Sequence, residues 1–341
     1  MNSPNAPIFL GETTIELVIR GSTVIACARP VLRFLSSPNT AIEFEVPYSN
    51  WASLDDVETT ISLVEHDVNI EIVVTSLNFK ENTVSGVLVS RQEPFTISNN
   101  VDQHIVSINF SVLNFPKFFG SQDQILNIDS GGIRRLGSAQ LKSDNWLVEF
   151  SEVPNLKQLE EELRAEGGYI FTHTGTITRS DANSFSIDEA EHILDGLTLF
   201  SSFARGAFCS MAFPSGVNRI GTKIWEKWGT GSVTPWGYTP SWFDRMHGQH
   251  LAKVFPGFWD KFNDPTWSNT IREVLYWYLR SNSHGSGAGV DGGLILTQAA
   301  LERLSYILLN YSKSGNAASR IRDSLSSLGI ETKIPSSCKE L

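Results

Sequence analysis

Three charged side chains in the last third of the chain are of the types that RNA cleavage needs. Arg280 and His284 are separated by three residues, and Glu302 lies in the most apolar predicted helix. An arginine can hold a phosphate while a histidine transfers a proton, which cleavage through a ribose 2′-hydroxyl requires. A helix C-terminus also favours positive charge without any catalytic role. The three residues are therefore catalytic candidates, with a structural role as the alternative.

Tryptophans form the second group, because seven of the nine lie between residues 225 and 277. Trp225, Trp228 and Trp236 occur among glycines and prolines, in a stretch that we expect to be a loop. Aromatic rings on loops can stack on bases or sugars. Large aromatic side chains also fill cores. Core packing is the favoured interpretation, and the three tryptophans are kept as candidates for ligand binding.

Two histidines are spaced so that one face of a predicted helix carries both. His247 and His250 are three residues apart, and Asp244 precedes them by another three, in a helix predicted to start at Ser241. A metal ion could use such a face, but no clear further ligand is present. Both histidines are ligand-binding candidates, and we predict neither a metal ion nor a cofactor. The motifs GxSxG, HExxH and CxxC and a Walker loop do not occur in the sequence.

Length and composition exclude several protein classes. The 341 residues include 41% hydrophobic residues and carry a net charge of −10, so intrinsic disorder is excluded. No apolar run is long enough for a membrane-spanning helix, and the N-terminus does not resemble a secretory signal. We therefore expect a cytoplasmic protein with no membrane partner. Residues 1–150 carry 9 basic and 17 acidic residues, residues 151–200 carry 3 and 10, and residues 201–341 carry 15 and 10.

The elements that must position these residues change in character along the chain. Short runs rich in valine, isoleucine, threonine and phenylalanine predict an antiparallel β-rich domain, sandwich or barrel-like, over residues 1–180. A capping box at Ser186 and Glu189 opens a helical pattern, which predicts an α-helical domain over residues 181–341. The fold class is thus α+β. Leu304 is expected in the core of the last domain, where Leu304→Ala would cost roughly 2–5 kcal/mol.

The C-terminal segments resemble a known group. In order they are FSSFARG, WEKWG, SWFD, MHGQHLAKVFPGFW, EVLYWYLRSN, GVDGGLILTQAALERLSYIL and IRDSLSSLGIETKIP. They are similar to mostly uncharacterised bacterial proteins related to the ApeA-type HEPN proteins of antiphage defence. The resemblance covers about 200–341 and implies a HEPN-like helical bundle. The β-rich first half is compatible with the non-catalytic N-terminal domain of such proteins.

The resemblance also implies a mechanism and partners. Active HEPN proteins are metal-independent ribonucleases with an Arg-x4–6-His motif on a late helix, usually in a dimer. No such motif follows Asp291, so the helical domain is expected to be incomplete at its C-terminus. We therefore expect a binding or sensing component without its own complete nuclease site. Its ligand would be RNA or a phage-derived molecule, and its partner a second copy or another subunit. An active ribonuclease with an atypical site and a carbohydrate-binding or glycan-processing protein are the alternatives.

Overall fold

The computed structural model describes residues 3–19, 22–34, 37–47, 57–63, 68–90, 95–98, 104–119, 124–127, 133–282, 289–309 and 315–333. In this part of the chain the protein is mixed α+β, with two seven-stranded antiparallel sheets, a two-stranded sheet and six α-helices. Strands dominate the N-terminal region and helices dominate the C-terminal region. The predicted α+β class is confirmed at this level.

The first sheet closes on itself. Its strands are β1 (Ile8–Phe9), β2 (Thr13–Ile19), β3 (Ser22–Phe34), β4 (Pro38–Pro47), β5 (Val57–Leu63), β6 (Val68–Phe79) and β7 (Thr83–Ser90). Their order is β1-β3-β2-β5-β6-β7-β4, and β4 pairs again with β3, so six strands form a ring. Alternate residues on β2 and β3, among them Ile15, Leu17, Ala26 and Ala28, are buried, as a sheet with one covered face requires.

The second sheet is open and carries the first two helices. Its strands are β8 (Phe95–Ser98), β9 (Ser107–Leu113), β12 (Ser138–Ser143), β13 (Trp146–Glu152), β14 (Phe171–Arg179), β15 (Ser210–Val217) and β16 (Lys223–Trp228), in the order β12-β13-β14-β9-β15-β16-β8. Strands β10 (Gln124–Asn127) and β11 (Ile133–Leu136) pair with each other. Helix α1 (Leu156–Glu166) connects β13 to β14, and α2 (Ile187–Arg205) connects β14 to β15 and contacts β15.

Local signals in the sequence set the ends of α2. The Ser186 hydroxyl accepts a hydrogen bond from the Glu189 N–H, and the Glu189 carboxylate accepts one from the Ser186 N–H, so the predicted capping box is confirmed. Gly206 ends the helix in the left-handed conformation with φ 78°, which glycine adopts without strain. The remaining helices are α3 (Gln249–Asn263), α4 (Ser268–Ser281), α5 (Gly289–Leu308) and α6 (Ala317–Ser327).

The chain divides into two compact units, Met1–Pro256 and Gly257–Leu341. This division lies later than the predicted one between residues 180 and 181. The physical reason is that the chain returns to the second sheet after α2, where β15 pairs with β9 and β16 pairs with β15. The helical pattern of α2 therefore marks a helix packed on the sheet.

Helix α5 forms as the sequence predicts, but the apolar stripe that the spacing of Leu294, Leu301, Leu304 and Leu308 predicts is not the buried centre of the second unit. Leu294 is 64% exposed and Leu301 is 38% exposed. Leu304, which we expected in the core, is half-buried, whereas Ala300 and Ile307 are buried. Helices α4 and α6 contact α5, and the residues that they cover lie beside the predicted stripe. No helix in the described ranges is long and apolar enough to cross a membrane.

Candidate functional site

A cavity of about 550 Å³ in the first unit brings three arginines together with three aromatic side chains, Trp236, Tyr238 and Phe243. Its wall includes Arg164 from α1, Arg205 from the end of α2, and Trp236, Tyr238 and Arg245 from the segment that follows β16. These residues are distant in sequence, and the helices on the second sheet bring them together. The cavity is therefore a product of the tertiary fold.

Helix α1 supplies one side of the cavity because its opposite face is apolar. Leu156, Leu159 and Leu163 pack into a buried cluster with neighbouring residues of the sheet. Glu160 and Arg164 are one turn apart, and their side chains form an ion pair of 3.5 Å. The Glu160 carboxylate also lies 3.8 Å from the Arg245 guanidinium. The Glu160 carboxylate therefore forms ion pairs with two arginines of the cavity.

Arg205 is the buried cation of the site, and it is only 4% exposed. Its Nη1 donates a hydrogen bond to the Phe208 carbonyl at 2.7 Å, and its Nη2 donates one to the Pro235 carbonyl at 3.1 Å. In the described part of the chain, no carboxylate forms an ion pair with it. Burial lowers the pKa of Arg205 to about 10, and Arg245 acts in the same direction. The guanidinium is therefore charged at neutral pH.

Hydrogen bonds to the two helices hold the aromatic segment in place. The backbone N–H of Trp236 donates to the carbonyl of Gly168, just after α1, at 2.7 Å, and the Thr239 hydroxyl donates to the Arg205 carbonyl of α2 at 2.8 Å. The Ser241 hydroxyl donates to the Ala204 carbonyl. The Trp236 ring packs against the leucines of α1, whereas Tyr238 is 81% exposed. One ring is thus fixed, and the other is open to a ligand.

This arrangement suits the binding of an anion that carries a flat or apolar group. Guanidinium groups bind phosphate and carboxylate oxygens through paired N–H donors. Trp236 and Tyr238 offer ring surfaces beside them, and base–aromatic stacking stabilises nucleic-acid complexes. None of the described wall residues is a histidine, cysteine or lysine. The guanidinium groups and the ring faces are the groups through which this wall can contact a ligand.

A larger cavity, of about 860 Å³, lies against strands of the first sheet, but its charges are already matched. Its two arginines, Arg29 and Arg33, both pair with Glu43, at 3.4 and 2.7 Å. Glu12 and Glu45 add further negative charge to its wall. Lys80 also lines this cavity, so its wall carries three cations and three carboxylates and no net positive charge, which makes it a poorer candidate for an anion.

The structure places the three predicted tryptophans differently. Trp225 and Trp228 lie on strand β16 and are 1% and 6% exposed, so the expected loop is wrong for both. The Trp228 ring packs into the buried cluster of the first sheet with residues such as Phe44. Their burial results from pairing of β16 with β15 and β8. Trp236 follows the strand and lies in the cavity wall.

The two predicted histidines lie outside this cavity. Helix α3 begins at Gln249, later than the predicted start at Ser241, so His247 precedes it and His250 lies in its first turn. Their rings are 5.4 Å apart, and the His247 Nε2 lies 3.8 Å from the Asp244 carboxylate. Within the described ranges, no group of three or more metal-ligating side chains occurs.

The three catalytic candidates are not brought together by the described contacts. The Arg280 Nε donates to the Tyr276 hydroxyl at 3.2 Å on α4. The Glu302 carboxylate accepts from the Arg320 guanidinium at 2.6 Å, which joins α5 to α6. His284 lies outside the described residues. Glu302 thus has a structural partner within the second unit.

Comparisons with known proteins cover most of the chain. Residues 100–239 match the family model of the YopA central domain, and residues 264–341 match that of the YopA C-terminal domain. The chain is similar to YopA. The SPbeta prophage-derived uncharacterized protein YopA of Bacillus subtilis (strain 168) is 28% identical over 354 aligned residues, which cover 96% of this chain and 76% of that protein. No solved structure matches the chain. Arg164, Arg205 and Trp236 lie in the segment that matches the YopA central domain.

Sequence reasoning found Trp236 but missed the arginines. Arg205 stands in the last turn of α2, where a cation is common because it complements the helix dipole. Arg164 reads as half of an ordinary helix-surface ion pair. The sequence offers one signal for the site, which is Arg205 immediately before Gly206 at the end of α2. This signal does not reveal that three arginines line one cavity.

Proposed function

We propose that this chain is a binding or sensing protein whose first unit recognises RNA or a related nucleotide ligand in the arginine cavity. The observation that carries the proposal is Arg205, a buried cation in the wall of a cavity that two further arginines and the rings of Trp236 and Tyr238 also line. Arginine provides phosphate contacts, and the rings provide stacking, so one cavity supplies both parts of nucleotide recognition.

We also propose that the second unit is HEPN-like and that the chain lacks its own complete nuclease site. The separate partners of Arg280 and Glu302 support this part, because a shared catalytic site would need both to reach one phosphate. The similar Bacillus subtilis protein is prophage-derived, which supports a role in phage–host biology, including the proposed antiphage defence.

RNA binding by purified protein tests the proposal. Fluorescence anisotropy with a 5′-phosphorylated single-stranded RNA of about ten nucleotides, a length within the site sizes of single-strand binders, would measure affinity. The double substitution Arg164→Gln and Arg245→Gln should weaken binding about tenfold or more, since charge-assisted hydrogen bonds are lost. Arg219→Gln is the matched control, because Arg219 is exposed and outside the cavity.

Two results would overturn the proposal. One is no measurable binding by the wild-type protein at low salt, where phosphate contacts are strongest. The other is an equal loss of affinity in the Arg219→Gln control. Gel analysis of the same RNA after incubation should show intact RNA, whereas cleavage lost in His284→Ala would support the ribonuclease alternative.

A further inference from the structure

We infer that the arginine cavity selects a phosphomonoester, the terminal phosphate of a nucleotide or of an RNA strand, over an internal phosphodiester. This inference rests on the proposed function and names the ligand group that the cavity takes. Three features carry it: the net charge of the cavity, the burial of Arg205, and the position of the aromatic rings.

The charge of the cavity matches a dianion. Arg164, Arg205 and Arg245 contribute three positive charges, and Glu160, which pairs with two of them, contributes one negative charge. Two positive charges remain. A phosphomonoester carries about −1.5 to −2 charges at neutral pH, whereas a phosphodiester carries −1. A diester would therefore leave one positive charge of the cavity unmatched.

The burial of Arg205 limits which phosphates can reach it. With only 4% of its surface exposed, its guanidinium is accessible only to a group that protrudes into the cavity. The described hydrogen bonds use two of its five N–H donors. A terminal phosphate has one covalent attachment and can enter end-on. An internal phosphate has a nucleoside on each side and would have to bring both into the cavity.

Glu160 keeps the other two arginines available. Its carboxylate lies 3.5 Å from Arg164 and 3.8 Å from Arg245, which are long contacts for charged pairs. The same carboxylate accepts a hydrogen bond of 2.8 Å from the Lys117 backbone N–H, which fixes it in place. Arg164 and Arg245 can thus turn toward a phosphate, while the Glu160 carboxylate stays in place and balances one of the three arginine charges.

The aromatic rings of the cavity determine which chemical group joined to the phosphate is preferred. Trp236 and Tyr238 line the same cavity, and Tyr238 extends into solvent. A nucleoside joined to a phosphate at Arg205 could stack on either ring, since every base has a π face. Inorganic phosphate would gain only the charged contacts, so a nucleotide should bind more tightly.

The experiment compares four ligands on the full-length protein. They are inorganic phosphate, adenosine 5′-monophosphate, and one RNA sequence with either a 5′-phosphate or a 5′-hydroxyl end. The 5′-phosphorylated RNA should bind about tenfold or more tightly than the 5′-hydroxyl RNA, and the nucleotide should bind more tightly than phosphate. Affinity of the phosphorylated ligands should fall as the second phosphate proton is added near pH 6.

Two variants connect this preference to the cavity. Arg164→Gln with Arg245→Gln should remove the preference for the 5′-phosphate, whereas Arg219→Gln should retain it. Arg205→Lys keeps the charge but loses the guanidinium fork, so it should reduce the preference while thermal melting confirms that the variant is folded.

The two proposals fail in different ways. Equal affinity of the wild-type protein for both RNA ends would overturn the phosphomonoester inference and leave RNA binding intact. A preference that persists in the double arginine variant would also overturn it, because the selection would then lie elsewhere. Absence of binding to all four ligands would overturn the proposed function itself.

Discussion

Replacement of His173 by phenylalanine should remove an acid-sensitive element of the fold. His173 lies on β14, is fully buried, and contacts the rings of Phe115, Phe118 and Phe150. Neither ring nitrogen has a hydrogen-bond partner in the described part of the chain. Burial therefore lowers the pKa of His173 to about 3 from an ordinary value of 6.5. His173 is therefore neutral in the folded protein at neutral pH.

The sign and size of the effect follow from this difference. On acidification the unfolded chain takes up the proton first, so stability falls as the pH drops through 6.5 toward 3. Between pH 7 and pH 5 this linkage lowers the free energy of unfolding by about 2 kcal/mol. Phenylalanine does not titrate, so the variant should gain about that amount relative to the wild type over the same interval.

Urea denaturation at pH 7, 6 and 5 measures the difference between the two proteins. The measured quantity is the change in relative stability with pH, so a constant packing cost of the larger ring does not affect it. His192→Asn is the matched control, because His192 is exposed on α2. A relative stability of His173→Phe that stays flat from pH 7 to pH 5 would refute the assignment of a buried neutral histidine.

Three further predictions concern Glu152, the second unit and the α2 cap. Burial raises the pKa of Glu152 to about 7 from 4.5, so ionisation of this carboxyl group lowers the free energy of unfolding as the pH rises through that range. Between pH 5 and pH 7, Glu152→Gln should therefore gain about 1–2 kcal/mol in free energy of unfolding relative to the wild type, as measured by urea denaturation. Ile307→Ala should cost about 2–5 kcal/mol and Leu304→Ala less than about 2, because only Ile307 is fully buried; equal losses in thermal unfolding would contradict this packing. Ser186→Ala should cost about 1 kcal/mol through loss of the capping box, and no measurable change in unfolding would count against the cap.

Glu152 and His173 are directly opposite each other on β13 and β14, and their linkages have opposite signs. Acidification from pH 7 to pH 5 weakens the fold through the histidine and strengthens it through the carboxylate. The two effects partly cancel in the wild-type protein, so a flat pH profile of the parent would not show that either group is unperturbed. Because the residues are neighbours, the double variant should be measured as well.

The helices were predictable where their signals are local. The capping box at Ser186 and the glycine at 206 set the ends of α2 through contacts within a few residues, and the predicted capping box is confirmed. Strand β16 was not predictable in the same way. Trp225 and Trp228 lie near glycines that suggest a loop. Pairing with the preceding strand β15 and with β8, which is distant in sequence, makes this segment a buried strand.

The α5 stripe shows a different limit. Regular spacing of leucines indicates that a helix has an apolar face, but in α5 the leucines Leu294 and Leu301 of that face are exposed. Spacing does not say which neighbour covers the face. In the second unit α4 and α6 contact a side of α5 that includes Ala300 and Ile307, while Leu294 stays exposed.

The arginine cavity shows why the charge of a segment is a poor guide to the charge of a site. Residues 151–200 carry 3 basic and 10 acidic residues, a balance that by itself disfavours an anion ligand in this part of the chain. Side chains one turn apart on a helix share a face, so Glu160 pairs with Arg164, which borders the cavity, while Glu161 lies on another face and is exposed to solvent. Arg205 and Arg245 then reach the same cavity from other elements. The electrostatic potential at a binding site is set by the few side chains that point into it. In this cavity Arg164, Arg205, Arg245 and the nearby Glu160 leave a net positive charge, although Arg164 and Glu160 come from an acidic segment.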